Sequence, residues 1–196
     1  VNFIGGIENL RAIHHVAATV MMLGTIYHII VVGYKIFVER RRMTMLPAFQ
    51  DAKDALFAFL YNIGLRKSRP QMGRYTFEEK AEYWAFVWGT VVMAITGFFL
   101  WFDNLAVSIF PKGFLDVMLV IHFYEAWLAT LAIALWHMYF TVFRPGVYPG
   151  NPAWVTGKMP RDLYLEEHPA DTLAPLAEPA QELYPDRDSD ASKKHA

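Results

Sequence analysis

Three long apolar runs constrain the fold of this 196-residue sequence more than any other feature. Residues 12–38 contain one charged side chain, Lys35; residues 83–102 contain none; residues 117–143 contain only Glu125. A helix needs about 20 such residues to cross the hydrocarbon core of a bilayer. The sequence therefore predicts an all-α membrane protein with three transmembrane helices. Their expected limits are about 10–38, 82–102 and 115–143.

The segments between the spans predict the orientation. Residues 35–80 hold ten of the eighteen Lys and Arg side chains, whereas the N-terminal side and the loop between the second and third spans hold only Arg11 and Lys112. Because positive residues stay on the cytoplasmic side, the N-terminus is expected in the periplasm and the C-terminal tail in the cytoplasm of a bacterial inner membrane. Apolar side chains at helical spacing over about 46–65 predict an amphipathic helix, lying at the interface or packed on a partner subunit.

The composition changes after residue 144. Residues 145–196 hold eight of the eleven prolines and nine acidic side chains, which predicts an extended cytoplasmic tail following a membrane domain over 1–144. The tail is either a disordered appendage or an arm that wraps a partner. A net charge of −1 argues against a nucleic-acid binder, and the absence of cysteine excludes iron–sulfur clusters and thiolate zinc sites.

Histidines occur in pairs within the first and third spans. The two histidines of each pair are about four helical turns apart, and the separation from His122 to His137 is one residue longer than that from His14 to His28. At about 100° per residue the members of each pair share a helix face, about 21 Å and 22.5 Å apart along the axis. The neighbouring His15 lies about 140° from His28 around the helix axis, so His14 is the better partner for His28.

Two histidines at each of two levels suit two b-type haems. Histidine is costly in a bilayer and needs a role there. With three spans, the first and third helices run parallel, so each level offers two axial imidazoles to one haem iron. Gly24, one turn before His28, leaves room for a flat macrocycle, although small residues also serve helix packing. A metal or proton transporter is the competing interpretation, which Glu125 alone supports poorly.

Several segments resemble the cytochrome b subunit of formate dehydrogenases and related quinone-linked oxidoreductases. They are Arg11–His14 with Tyr27-His28, then Gly73–Lys80 with Tyr83-Trp84, Thr96-Gly97 and Leu100-Trp101, and finally His122–Ala129, Trp136–Tyr139 and Arg144-Pro145-Gly146. The resemblance covers roughly residues 8–160. It implies a membrane subunit that carries two b haems, without substrate chemistry of its own. Such a subunit passes electrons between a redox partner and the quinone pool.

The resemblance also implies ligand assignments. His14 and His122 would bind the periplasmic haem, and His137 the cytoplasmic one. That family has four spans, and its first, which carries a haem histidine, has no counterpart in this sequence. His28 fills the gap chemically. The absent span comes from another subunit, or the sequence is incomplete.

Further site residues follow from the resemblance. Gly73–Lys80 matches a loop that forms a menaquinone pocket, with Thr76 in place of the usual Asn and with Tyr75 and Tyr83 as alternative hydrogen-bond donors to menaquinone or ubiquinone. These residues could equally anchor the second span at the interface. Three arginines near span ends could pair with haem propionates or act as interfacial anchors: Arg11, Arg74 and Arg144. Glu125 could orient His122, carry a proton or be a protonated structural residue.

These features together predict a dihaem electron-transfer subunit of a respiratory or photosynthetic-type complex. It would lie in membrane lipid within a hetero-oligomer. Its partner would be an iron–sulfur, multihaem cytochrome or molybdenum subunit. The alternatives are a structural or assembly anchor without redox activity and the transporter. No side chain is assigned a catalytic role.

Overall fold

A computed structural model describes residues 5–171, in which all regular structure is helical. The chain divides into two compact units, Val1–Thr44 and Met45–Ala196, which are described in turn. Residues 172–196, the second part of the expected tail, lie outside the described residues.

The first unit is essentially one helix, α1, at Ile7–Phe37. It is apolar on all sides, and none of its side chains is buried by other described parts of the protein. A helix of this kind is stable only where something other than water covers its surface. It is long enough and apolar enough to cross a membrane, as predicted for residues 10–38.

The second unit contains the remaining helices. They are α2 at Phe49–Asn62, α3 at Phe77–Trp101, α4 at Asp103–Ile109, α5 at Gly113–Leu131 with π-helical continuations at Ala132–His137 and Tyr139–Phe143, α6 at Ala153–Thr156 and α7 at Arg161–Glu167. Helices α3 and α5, the latter through Phe143, are also long and apolar enough to span a membrane. The all-helical fold with three long apolar helices is therefore confirmed.

Helix α3 begins earlier than the apolar run suggested, at Phe77, because a capping box starts it. The backbone N–H of Glu79 donates to Thr76 Oγ1 at 3.2 Å, and the backbone N–H of Thr76 donates to Glu79 Oε2 at 2.8 Å. This reciprocal pair satisfies two backbone donors that a helix N-terminus leaves without partners. The charged first turn therefore belongs to the helix even though it is too polar to count as membrane-spanning.

Small residues bring α3 and α5 together in antiparallel contact. The buried positions of α3 are Gly89, Thr90 and Thr96. Gly89 faces Glu125, and Gly97 faces the ring of His122. Close approach of this kind is how helices associate in lipid, where the hydrophobic effect contributes little.

Polar contacts hold α2 to the start of α3. Lys80 Nζ lies 2.8 Å and 3.1 Å from the two carboxylate oxygens of Asp51, and Trp84 Nε1 donates to the Met45 carbonyl at 2.9 Å. Helix α2 ends at Asn62, and Gly64 just beyond it adopts a φ of 79°, which favours glycine. Helix α2 is thus fixed beside the charged end of α3.

We expect Asp51→Asn to destabilise the protein by about 1–2 kcal/mol, because a charged hydrogen-bond partner of Lys80 becomes neutral. Both side chains are less than one-fifth exposed, so solvent screens the pair weakly. The measurement is unfolding in mixed micelles, followed by circular dichroism. Asp116→Asn is the matched control, since Asp116 also lies in the first turn of a helix but has no lysine partner within residues 5–171. Equal losses in the two variants would contradict the role of Lys80.

The first part of the expected tail is more ordered than its proline content indicated. Residues 145–171 contain α6 and α7, and they fold back on the loop before α3. His168 Nδ1 lies 2.8 Å from the Gly73 carbonyl oxygen, and the Ala170 N–H donates to the Met72 carbonyl at 2.9 Å. Val147, Leu163 and His168 are buried in this region. A few apolar anchors and backbone hydrogen bonds therefore order a segment with a disorder-prone composition.

Candidate functional site

The predicted residues of the first unit all lie on α1. His14 and His28 are exposed on this helix, and the rings of His14 and the adjacent His15 lie 6.3 Å apart. Arg11 forms an exposed ion pair with Glu8 one turn earlier, at 3.6 Å. A Cβ added at Gly24 would meet no described atom within 4 Å, so the glycine leaves an open surface on the helix.

In the second unit, His122 of α5 is held against α3. Its Nδ1 lies 2.8 Å from Thr96 Oγ1, and a Cβ added at Gly97 would lie 3.2 Å from its Cε1 atom. The glycine thus provides the space in which the ring packs on the α3 backbone. The Nδ1 partner is Thr96, and not Glu125, which the sequence had suggested as one option.

His137 has a corresponding partner towards the other end of the helix pair. Its Nδ1 forms a short contact with the Glu82 carboxylate of α3. The two histidines of α5 are therefore both bonded through Nδ1 to side chains of α3. Those two side chains, Glu82 and Thr96, have the same sequence spacing as the two histidines of α1.

The π-helical turns explain how the wider spacing on α5 matches the narrower spacing on α3. His137 lies in the π-helical segment Ala132–His137, where the Met138 N–H bonds to the Ile133 carbonyl, five residues back. A π turn takes more residues than an α turn, so each residue rotates and rises less. In a regular α-helix the side chains of His122 and His137 would be offset by about 60° around the axis, and the π-helical turns reduce this offset. Turns of this kind are frequent at functional sites.

Glu125 faces α3 at Gly89. A Cβ added at Gly89 would lie 2.7 Å from Glu125 Oε1, a distance that no real side chain tolerates without movement. The Glu125 carboxyl group therefore packs against the α3 backbone at a position that has no side chain. This placement fits a structural carboxyl at the helix contact better than a partner for His122.

A cavity of about 1070 Å³ adjoins His137. It is large for a small-molecule site, for which about 300–1,000 Å³ is usual. The lining includes four of the predicted site residues, together with Glu82 and Ile133: Thr76, Tyr83, His137 and Arg144. Separate parts of the sequence are thus brought to one place beside a predicted haem ligand.

The predicted residues of the loop before α3 and of its first turns divide between the cavity wall and its surroundings. Arg74 and Tyr75 do not line the cavity, and the guanidinium of Arg74 lies over the ring of Tyr75, 6.0 Å from its centroid. Thr76 lines the cavity while its hydroxyl caps α3. Tyr83 lines it as well and packs edge-on against Trp84, 5.7 Å away. Of the two tyrosines suggested as quinone donors, only Tyr83 therefore reaches the cavity.

The ordered part of the tail forms part of the cavity wall. Arg144 forms a close ion pair with Glu167 of α7. Burial and the nearby Arg69 lower the pKa of the Arg144 guanidinium, while Glu78 and Glu166 oppose this shift. Arg144 is thus engaged by the chain itself, on a cavity that also has acidic walls.

Tyr164 of α7 is fixed within the same ordered segment. Its hydroxyl donates to the carboxylate of Asp171, and its ring lies 4.6 Å from that of His168. Burial, together with the hydrogen bond to Asp171, raises the pKa of Tyr164 to about 12. The phenol is therefore neutral at physiological pH and serves as a donor that holds the end of the segment.

Sequence reasoning missed Glu82 and gave no role to Thr96. The available signal was a similar spacing on two antiparallel helices, since Glu82 and Thr96 in the second span are about as far apart as His122 and His137 in the third. The spacing alone does not give the register of the two helices, so it does not show that these two side chains face the histidines. The structure shows that they do.

The donor set fits a haem better than a bare metal ion. Within residues 5–171, no three His, Asp or Glu side chains are grouped closely enough to hold a metal ion. A haem needs only axial ligands, because the macrocycle supplies four nitrogens. Histidine ligands whose other ring nitrogen is hydrogen-bonded are typical of such sites. His122 and His137 meet that description.

Comparison with known proteins supports this assignment. No curated protein and no solved structure matches the chain. A family model, described as prokaryotic cytochrome b561, matches residues 2–148, which include all three long apolar helices. The chain therefore belongs to the prokaryotic cytochrome b561 family of membrane proteins, which bind b-type haem and transfer electrons.

Proposed function

We propose that the chain is a dihaem cytochrome b subunit that carries electrons between a redox partner and the quinone pool, as the resemblance to the formate dehydrogenase subunit implies. His14 and His122 hold one haem in this proposal, and His28 and His137 hold the other. A bound haem supplies the reversible one-electron step. The chain supplies the axial imidazoles, their orientation and a path through the membrane.

One observation carries the proposal. Both histidines of α5 have their Nδ1 atoms bonded to α3, at positions about 21 Å apart along that helix. The histidines of α1 have the same sequence spacing as the two α3 partners. Matching spacing on three helices is difficult to explain by isolated core histidines, and it suits two haems stacked along the membrane normal.

The cavity beside His137 supports a quinone site. It is large enough for a quinone head group, and Tyr83 lies in its wall. The basic residues in 35–80 favour a cytoplasmic position for this end of α3 and α5. The membrane domain over 1–144, the cytoplasmic tail and a hetero-oligomeric complex belong to the same proposal.

The experiment is a haem assay of the purified protein. We expect a reduced-minus-oxidised spectrum with the α band of b-type haem and a ratio of about two haems per chain. A ratio of about one would contradict the dihaem arrangement but retain the family assignment. Intact protein without haem absorbance would favour the structural anchor instead.

A further inference from the structure

The two histidines of α5 have different partners on α3. Thr96 offers a neutral hydroxyl to His122, whereas Glu82 offers a carboxylate to His137. Both contacts are made by Nδ1, and both partners lie within the same helix.

The hydrogen-bond network assigns the protons. Thr96 Oγ1 lies 2.7 Å from the Val92 carbonyl oxygen, which has no hydrogen, so the hydroxyl donates there. Its lone pair is then available to accept the Nδ1–H of His122 at 2.8 Å. A carboxylate has no hydrogen to donate, so in its contact with Glu82 the Nδ1–H of His137 is the donor. Both rings therefore carry their proton on Nδ1 and their lone pair on Nε2.

This tautomer is the one that an axial haem ligand requires when Nε2 binds the iron. An imidazole that is free to flip or to change tautomer presents the ligating lone pair only part of the time. A fixed acceptor on α3 removes that freedom before the iron is bound, and Gly97 leaves the space for the His122 ring to remain in place.

We propose that Thr96 and Glu82 are positioning residues for the two axial histidines, and that they give the two haems unequal reduction potentials. The inference rests on the proposed dihaem function. A hydrogen bond to a carboxylate is roughly twice as strong as one between neutral groups. It transfers more electron density to the imidazole, and an electron-rich ligand stabilises oxidised iron over reduced iron. Glu82 therefore lowers the potential at His137 more than Thr96 lowers the potential at His122.

The test is a spectroscopic redox titration of the purified haem protein. Glu82→Gln keeps an oxygen acceptor for Nδ1 but removes the charge, so the midpoint of one haem transition is expected to shift to a more positive value. Thr96→Val removes the hydroxyl at nearly the same volume, so a smaller positive shift is expected in the other transition. Each variant is expected to move one midpoint and leave its counterpart in place.

Matched controls separate the hydrogen bonds from general effects. Glu78→Gln makes the same substitution one turn earlier on α3, at another position in the cavity wall. Thr90→Val makes the same change at another buried threonine of α3. Glu78→Gln is expected to shift the midpoints less than Glu82→Gln does, and Thr90→Val less than Thr96→Val does.

Three outcomes overturn the inference. The first is that Glu82→Gln and Glu78→Gln have the same midpoints. The second is that Glu82→Gln and Thr96→Val shift the same haem transition. The third is that Thr96→Val shifts a midpoint more than Glu82→Gln does. If Glu82→Gln loses haem, Glu82→Asp decides, because retained haem with a midpoint near wild type supports the carboxylate and loss of haem contradicts it. Wild-type protein without haem would overturn the proposed function as well, so the two failures are distinguishable.

Discussion

We expect replacement of His14 with alanine to halve the haem content, from about two haems per chain to about one, and His15→Ala to leave it unchanged. The reason is that only His14 shares a face of α1 with His28, while His15 is rotated by about 140° from it. The two residues are adjacent on one helix and both are histidines, so the pair is a control for general effects on α1. The measurement is the haem-to-protein ratio after purification.

The partner histidine on α5 is expected to behave in the same way. His122→Gly also loses one haem, and added imidazole restores it, because the free ligand occupies the space of the missing ring. Rescue of this kind shows that the variant is folded. Equal haem loss in His14→Ala and His15→Ala would contradict the assignment on α1, and a full haem complement in His122→Gly would contradict the one on α5.

The second large effect concerns the cavity beside His137. Ile133 lies in its wall, one turn before His137 in the π-helical part of α5. We expect Ile133→Trp to slow the reoxidation of reduced haem by a quinone analogue about 10- to 100-fold, because overfilling a site costs about 1–3 kcal/mol. The haem content is expected to stay at the wild-type value.

A matched substitution tests whether the position matters. Ile95 of α3 is 53% exposed and Ile133 is 56% exposed, but Ile95 does not line the cavity. Ile95→Trp is therefore expected to reoxidise at the wild-type rate. If Ile133→Trp also reacts at the wild-type rate with its haem retained, quinone reacts elsewhere on the protein or on another subunit.

The helices were predictable because membrane burial leaves a strong mark on sequence. Long apolar runs with at most one charged side chain each indicated α1, α3 and α5, with small errors at their ends. The largest error was at the start of α3, where the capping box of Thr76 and Glu79 extends the helix into a charged segment. Hydrophobicity does not detect such a cap.

The candidate site was only partly predictable. Histidine is rare enough in spans that spacing alone selected His122 and His137. Their partners depend on the register between α3 and α5, which is set by contacts such as those of Gly89 and Gly97. These contacts join positions that are distant in sequence, and a pattern read along one helix contains no information about the face of another.

The order in residues 145–171 was not expected either. It depends on distant backbone groups, since the carbonyls of Met72 and Gly73 accept hydrogen bonds from Ala170 and His168. Composition reports the average tendency of a segment and does not reveal such partners.

The π-helical turns of α5 have a consequence for insertions and deletions. His14 and His28 have the same sequence spacing as Glu82 and Thr96. His122 and His137 are separated by one more position, which the π-helical turns accommodate. Deleting one residue between Ala132 and Trp136 should straighten this stretch into a regular helix and leave His137 opposite Glu82. A single-residue gap in an alignment at this point therefore does not imply a lost ligand. The same deletion in α3 between Glu82 and Thr96 has no wide turn to absorb it, and it rotates one partner by about 100° away from its histidine.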